Sequence, residues 1–247
     1  MQVEVVYLPR DLKPGHLRDR IIVVLDVLRA TTTMIAALHA GAKAIRIFSA
    51  LDEARTAASG VADQKILCGE ERCKKPLDFD LGNSPGEFTP ERATGRTLFM
   101  STTNGTRAIL AAQSAPIIYV GALVNARATA EALIDARRNV TLLCAGTDGR
   151  ISVEDVIGAG AIVNAAMLMG DITLANGEAV IAARADLAAR DSYAAAFRSG
   201  SGARNLVAAG LEQDVDFAAQ IDSLPLVAEV RKSDTGGISV FRCRQPV

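Results

Sequence analysis

Residues 21–33 read IIVVLDVLRATTT, and this stretch indicates the fold more clearly than any other. Ile21–Leu25 is an unbroken apolar run of strand length between charged residues, which is typical of a strand buried on both faces of a parallel sheet. A loop follows, and an apolar helical pattern then runs from Met34 toward Gly41, a residue type that often ends helices. A second strand pattern begins at Ala44. The stretch therefore predicts a βαβ unit.

The same alternation of strand and helix patterns continues along the chain. Such alternation favours a sheet of largely parallel strands covered by helices on both faces. We therefore predict an α/β fold, with three α/β/α layers and a largely parallel or mixed sheet, in a single domain over residues 1–247 without a clean linker. Strands are predicted at 1–7, 65–68, 97–100, 117–120 and 140–144, helices at 51–59, 128–137 and 155–169, and Ala-rich helices over 177–230.

The composition is that of a globular protein, with 49% hydrophobic and 22% charged residues. The formal net charge is −1 and lysine or arginine runs do not occur, so the chain lacks the wide positive field that nucleic acid or an acidic membrane would need. The first residues do not resemble a signal peptide, and apolar stretches stay below about 18 residues. We therefore expect a cytoplasmic protein.

Four cysteines and two histidines limit the redox and metal chemistry. Cys68, Cys73, Cys144 and Cys243 lack Cys-x-x-Cys spacing, and we interpret them as reduced thiols in or near the core. So few histidines disfavour a histidine-rich zinc site and leave oxygen ligands, which suit Mg²⁺.

The loop after the first buried strand is the leading candidate for an anion site, because ligands of parallel α/β sheets lie outside the carboxyl ends of strands. It offers the carboxylate of Asp26, the guanidinium of Arg29 and the hydroxyls of Thr31 and Thr32 at a helix start, where free N–H groups favour an anion. Alternatively, a threonine caps the helix and Asp26 pairs with Arg29. We favour function, because an Asp at the end of a buried strand must be solvated, paired or metal-bound.

Three further segments carry clusters of polar groups. Residues 101–106, STTNGT, supply hydroxyls and amides around a glycine, as either an oxyanion site or a simple turn with a helix cap. Glu154 and Asp155 stand at a helix start, where they either complement the helix dipole or supply a Mg²⁺ ligand or water-orienting base. Residues 69–96 are too long for an ordinary connector, which favours function over a solvated surface.

These candidates are hydroxyls, amides, arginines and carboxylates, without a Cys or Ser nucleophile beside a His. Phosphoryl transfer to water depends on charge neutralisation and positioning, which such groups provide. We therefore predict hydrolysis of a phosphate ester. An aspartyl-phosphate at Asp26 is a rival route, but the second Asp expected two residues later is Leu28 here, so direct attack by water is preferred.

At these motifs the chain resembles the Mg²⁺-dependent 2-phosphosulfolactate phosphatases of coenzyme M biosynthesis. The motifs occur in order and span nearly the whole chain. They are DVLRATTT at 26–33, GE at 69–70 with FDLGNSP at 79–85, TTNGT at 102–106, CAG at 144–146 running to Glu154-Asp155, and a weaker GLEQDVDF at 210–217.

The resemblance implies hydrolysis of (2R)-2-phospho-3-sulfolactate to 3-sulfolactate and phosphate, with Mg²⁺, on two intertwined α/β/α subdomains. The catalytic groups are then expected at Asp26, Arg29, Glu70 and Asp155, and the metal ligands at the three carboxylates of this set, Asp26, Glu70 and Asp155. The expected substrate-binding residues are Thr31, Thr32, Asn83, Ser84, Thr102, Thr103, Asn104 and Gly105.

One departure from the family pattern lies at Glu71-Arg72-Cys73, where the family commonly has Arg-Gly-Gly. The role of Arg72 is therefore open, and the pocket wall at the acid end of the substrate is expected to differ. Because a family does not fix a substrate, the alternatives are a phosphatase for another 2-phospho acid and a non-catalytic binder of phosphorylated metabolites. We expect a homodimer, since helix-covered α/β proteins often associate through apolar helix faces.

Overall fold

A computed structural model describes residues 1–62, 64–232 and 237–243 of the chain. Its centre is one mixed sheet of ten strands. The strands are β1 (Gln2–Val6), β2 (Ile21–Leu25), β3 (Ala44–Ile47), β4 (Lys65–Gly69), β5 (Thr97–Ser101), β6 (Ile117–Gly121), β7 (Val140–Cys144), β8 (Thr173–Leu174), β9 (Ala228–Lys232) and β10 (Ile238–Arg242).

Helices cover this sheet, and short 3-10 turns lie at Pro9–Asp11, Pro85–Glu87 and Leu123–Asn125. The helices are α1 (Pro14–Leu17), α2 (Ala30–His39), α3 (Leu51–Ser59), α4 (Pro90–Ala93), α5 (Gly105–Ala111), α6 (Ala126–Ala136), α7 (Val153–Met169), α8 (Gly177–Ala189), α9 (Tyr193–Arg198), α10 (Ser201–Ala208) and α11 (Glu212–Ala218). The predicted α/β class with a mixed sheet and surrounding helices is confirmed.

Two parallel sets of strands make up most of the sheet. The order is β4-β5-β3-β10-β9-β6-β2-β7-β1-β8, with parallel pairing among β4, β5 and β3 and again from β6 to β8. The antiparallel pair β9 and β10 joins the two sets. Because three antiparallel pairings separate β3 from β6, the two sets run in opposite directions.

The sheet bends so that the ends of β2 and β5 meet. Four strands lie between them in the sheet order. A flat sheet would hold them roughly 24 Å apart, at about 4.8 Å between neighbouring strands. Yet a Cβ placed on Gly105, the first residue of α5, would lie 2.7 Å from Oδ2 of Asp26, which follows β2. The twist of the sheet therefore brings loops from both parallel sets to one place.

Burial confirms the predicted central strands, and two strands near the C-terminus correct the helix prediction there. All five residues of β2 and of β7 are buried, as expected for strands covered on both faces. The prediction of helices up to residue 230 was wrong in its last part, because residues 228–232 form β9, and β10 was not predicted either. Both strands have charged, exposed ends, and their pairing in the sheet depends on distant residues rather than on local pattern.

The cysteines agree with the prediction from sequence. All four cysteines are free, with Cys68 and Cys144 buried and Cys73 and Cys243 half-buried. Among the helices of the described residues, none is long and apolar enough to cross a membrane.

Candidate active site

The loop after β2 is a tight turn held by its own threonines. The Thr31 hydroxyl donates to the carbonyl of Asp26 at 2.8 Å and accepts from the Asp26 amide at 3.0 Å. The Thr32 hydroxyl donates to the carbonyl of Val27 at 2.8 Å. Both threonines are fully buried. Their hydroxyls therefore stabilise the turn that presents Asp26, and neither of them lines the neighbouring cavity.

Arg29 is fixed by a buried ion pair with Asp214 and not by Asp26. Its Nη1 lies 2.8 Å from Oδ2 of Asp214, and both side chains are only 3% exposed. Nη1 also donates to the Ser84 hydroxyl and Nη2 donates to the carbonyl of Cys73. Three of the five guanidinium N–H donors are thus used, which leaves two for a ligand. The alternative that Asp26 pairs with Arg29 was wrong.

Glu70 links the long segment after β4 to the loop after β5. Its Oε1 accepts the amide of Thr103 and its Oε2 accepts the amide of Cys73, each at 2.8 Å. Gly69 before it has φ +144°, and a Cβ there would lie 2.0 Å from the carbonyl oxygen of Ser101. Only glycine permits this close approach, which sets the direction of the Glu70 side chain.

A polar cavity of about 380 Å³ opens where these loops meet. Loops from both parallel sets of strands line it, together with residues along α10. This is a concave site with a few convergent polar groups, of the kind that small ligands occupy. Its lining residues are Asp26, Leu28, Arg29, Glu70, Arg72, Cys73, Lys74, Asn83, Thr103, Asn104, Thr147, Asp148, Gly202, Asn205, Leu206, Ala208 and Ala209.

The electrostatics of the cavity centre on Asp26. Burial raises the pKa of Asp26 to about 7, and the negative charge of Glu70 adds to the rise, while the Ala30 amide and the charge of Arg29 oppose it. A carboxyl group with a pKa near neutrality changes its protonation state under physiological conditions. A cation beside Asp26 and Glu70 would relieve their repulsion.

The structure brings only part of the predicted site to the cavity. Of the predicted catalytic and binding residues, Asp26, Arg29, Glu70, Asn83, Thr103 and Asn104 line it. Ser84 lies behind it and donates to Asp214 at 2.7 Å, and Gly105 packs against Asp26. Thr102 lines an adjoining cavity. Asn83 is 4% exposed, and its amide oxygen has no hydrogen-bond partner within the described residues.

Asp155 braces the site from behind. It is 2% exposed, and its two carboxylate oxygens accept the amides of Val27 at 2.8 Å and Gly146 at 2.9 Å. Burial and the charges of Asp26 and Glu154 raise the pKa of Asp155, and the two amides oppose this rise. Asp155 thus ties the loop after β2 to the loop after β7 and does not line the cavity.

Glu154 is the acidic neighbour of Asp155, and it was not among the expected catalytic residues. It is 1% exposed, and neither carboxylate oxygen has a hydrogen-bond partner in the part of the chain that the structure describes. A Cβ on Gly202, which lines the cavity, would lie 2.1 Å from its Oε1. Burial raises the pKa of Glu154 to about 7, and the charge of Asp26 adds to the rise.

The predicted set of three metal ligands is not assembled. Over residues 1–62, 64–232 and 237–243, groups of three or more His, Cys, Asp or Glu side chains able to hold a metal ion are absent. Asp26 and Glu70 share the cavity wall, but Asp155 does not. Mg²⁺ in phosphoryl-transfer sites is commonly held by one or two carboxylates together with water and substrate phosphate. The pair Asp26 and Glu70 fits that pattern.

Sequence reasoning also missed Asp214 and the wall from α10. Asp214 lies in the segment 210–217, whose motif was noted, but only the fold reveals that it faces Arg29. Asn205 and Leu206 line the cavity from a helix whose pattern shows nothing beyond amphipathic packing. Contacts of this kind depend on long-range packing, which local patterns do not report.

A polar cavity at converging strand ends, walled by carboxylates and arginines that include Asp26, Glu70 and Arg29, defines an α/β protein with a site for a small anion. A family model described as 2-phosphosulpholactate phosphatase matches residues 6–233. The chain therefore belongs to the 2-phosphosulpholactate phosphatase family. Phosphatases of this kind are enzymes that hydrolyse phosphoric monoesters.

Several relatives are similar over nearly their whole length. A protein of Parasynechococcus marenigrum is 38% identical over 92% of this chain and 95% of its own. A protein of Thermosynechococcus vestitus is 39% identical, covering 83% and 86%, and one of Deinococcus radiodurans is 38% identical, covering 91% and 93%. Each is named "Probable 2-phosphosulfolactate phosphatase".

Proposed function

We propose that the protein is a Mg²⁺-dependent phosphatase that hydrolyses 2-phosphosulfolactate to 3-sulfolactate and phosphate. The observation that carries this proposal is the convergence of Asp26 and Arg29, from the loop after β2, and Glu70, from the segment after β4, on one polar cavity. The names of the family and of its relatives supply the substrate. The role in coenzyme M biosynthesis, the cytoplasmic location and the homodimer stay predictions.

The phosphate group fits the wall formed by Arg29 and the Thr103-Asn104 turn. Arg29 keeps two N–H donors after its contacts with Asp214, Ser84 and Cys73. Because Asp214 fixes the guanidinium, these donors are oriented before the ligand arrives. Preorganised donors of this kind stabilise the charge that develops on transferring phosphoryl oxygens.

Asp26 and Glu70 are the residues that would hold Mg²⁺. When bound, the ion would neutralise charge on the phosphate oxygens. Burial and the negative charge of Glu70 raise the pKa of Asp26, and a cation bound there would relieve the repulsion between the two carboxylates. Asp155 is left out of the proposed ligand pair, because it does not line the cavity.

The proposed reaction is in-line attack of water on phosphorus, with the 2-hydroxyl oxygen of sulfolactate as leaving group. The P–O ester bond breaks, and the new bond forms to the oxygen of water. The attacking water releases a proton to a carboxylate, and the leaving 2-oxygen takes up a proton to become the hydroxyl of 3-sulfolactate. Asp26 is suited to orient the water, because its buried carboxylate lines the cavity. Radiolabelled phosphate trapped on the protein during turnover would instead establish an aspartyl-phosphate.

A phosphate-release assay tests this proposal. The substrates are 2-phospho-3-sulfolactate, 2-phospholactate and phosphoglycolate, each with Mg²⁺ or with EDTA. We expect release from 2-phospho-3-sulfolactate with Mg²⁺, loss of release in EDTA, and recovery when Mg²⁺ is restored. Faster release from another substrate would correct the substrate assignment. Release that persists in EDTA would contradict the proposed requirement for Mg²⁺.

Failure of the whole panel would contradict the enzymatic proposal. In that case calorimetric binding of the same compounds would identify a non-catalytic binder of phosphorylated metabolites. Glu131→Gln is a suitable control variant, because Glu131 forms a surface ion pair on α6 and does not line the cavity. Its rates should match those of the unmodified chain.

A further inference from the structure

A second cavity, of about 540 Å³, adjoins the first. The two cavities share Glu70, Arg72, Thr103 and Asp148 on their common wall. A small ligand lying across that wall would therefore contact the proposed phosphate site at one end and the second cavity at the other. The second cavity is the more polar part of this continuous space, with Thr102 and three arginines in its lining.

The three arginines of the second cavity differ in what holds them. Arg55 is bound to Asp52 and to Asp78, with 2.6 Å between its Nε and Oδ2 of Asp78. Arg72 and Arg107 form no ion pair and no side-chain hydrogen bond with another residue of the described ranges. Two guanidinium groups therefore face the second cavity without an anionic partner.

Nearby acidic groups do not neutralise these two arginines. The carboxylate of Glu70 is already satisfied by the amides of Thr103 and Cys73. Glu71 and Asp148 also line the cavity. They are exposed, as Arg72 and Arg107 are, so water screens all four charges, and no ion pair joins them in the described ranges. A guanidinium presents a planar pair of donors that matches a sulfonate or carboxylate group.

We propose that Arg72 and Arg107 form a second anion subsite, which binds the strong-acid end of the substrate. This inference rests on the proposed function for the phosphate end of the site. It assigns the two residues that contact the second acidic group of the substrate, a sulfonate in the proposed substrate. Arg72 lies on the shared wall and Arg107 faces it from α5, so the subsite selects substrates by their second charge.

The test compares substrates with and without that charge. Arg107→Ala and Arg72→Ala should each raise KM for 2-phospho-3-sulfolactate about ten-fold, the size of a lost charged hydrogen bond. KM for 2-phospholactate, which lacks the sulfonate, should change less than about two-fold. Arg127→Ala is the matched control, because it removes an exposed arginine on α6 that lines neither cavity.

Equal effects on both substrates, or no effect on either, would overturn the subsite. A binding measurement keeps the subsite distinguishable from the proposed function. Calorimetry with 3-sulfolactate and with lactate needs no turnover, and we expect binding of 3-sulfolactate that weakens in the two arginine variants. If no phosphate is released but this binding pattern holds, the subsite stands and the phosphatase proposal fails. Absence of 3-sulfolactate binding to the unmodified chain would refute the subsite itself.

Discussion

Two regions of the molecule bury acidic side chains, and they differ in what those side chains face. Asp26 and Glu70 line the cavity, whereas Glu154 and Asp155, at the start of α7, lie behind its wall. In both regions burial raises the pKa of an acid, to about 7 for Asp26 and for Glu154. A raised pKa therefore marks burial, whereas access to the cavity separates a reacting group from a supporting one.

Replacing Asp214 should give the largest loss of stability, because it supports the cavity wall through Arg29. Asp214→Ala leaves the buried Arg29 guanidinium without its partner, and we expect about 3–5 kcal/mol of lost unfolding free energy. Phosphate release should fall as well, since Arg29 is no longer oriented. Urea unfolding followed by circular dichroism measures the first effect, and the phosphate assay measures the second.

Asp216→Ala is the matched control for Asp214→Ala. Asp216 lies two residues further along α11 and forms an exposed ion pair with Arg198. Loss of such a surface pair should cost less than about 1 kcal/mol. Equal stability of the two variants would contradict the structural role assigned to the buried pair.

Asp155→Asn should lower stability more than activity. The amide group replaces one of two acceptor oxygens, so either the Val27 or the Gly146 amide loses its partner, at a cost of about 1–3 kcal/mol. Turnover per folded molecule should fall far less than in Asp26→Asn, as measured by initial rates at equal folded concentration. Abolished turnover with unchanged stability would return Asp155 to the set of metal ligands.

Glu154→Gln should stabilise the protein in a pH-dependent way. The pKa of Glu154 is raised from 4.5 to about 7 in the folded chain. Below pH 4.5 both states hold the proton, and between pH 4.5 and 7 only the folded state does, so stability of the unmodified chain falls as pH rises through this window.

Because glutamine carries no charge, Glu154→Gln should gain on the order of 1–3 kcal/mol at pH 8 and little at pH 4. Urea unfolding at the two pH values measures this difference. A variant that is destabilised at pH 8 would show that the Glu154 carboxylate has a favourable partner when ionised.

Much of the fold could be predicted from local sequence, because its central strands are continuous apolar runs. The predicted strand at 140–144 coincides with β7, and the predicted helix at 51–59 coincides with α3. β9 and β10 escaped prediction because their charged ends weaken the apolar pattern, and because their position between the two parallel sets is fixed by partners far away in sequence.

The loops that form the site could be predicted, but the directions in which their side chains point could not. The positions of Asp26, Glu70 and Asn83 after strands or in the long segment pointed to the cavity that they line. The pattern at residues 154 and 155 could not tell which acid accepts backbone amides and which lacks partners, because adjacent helix residues differ only in the direction they face. Likewise, the partner of Arg29 lies 185 residues away in the chain.

The central claim is that Asp26 acts in the reaction at the cavity, and its most direct test is the rate of Mg²⁺-dependent phosphate release by Asp26→Asn. Asparagine keeps the shape but removes the charge and the basic oxygen. We predict a rate at least about 1,000-fold below that of the unmodified chain. The circular dichroism spectrum should be unchanged, and the unfolding midpoint should be no lower than that of the unmodified chain. A folded Asp26→Asn protein that retains near-normal phosphate release would contradict the claim.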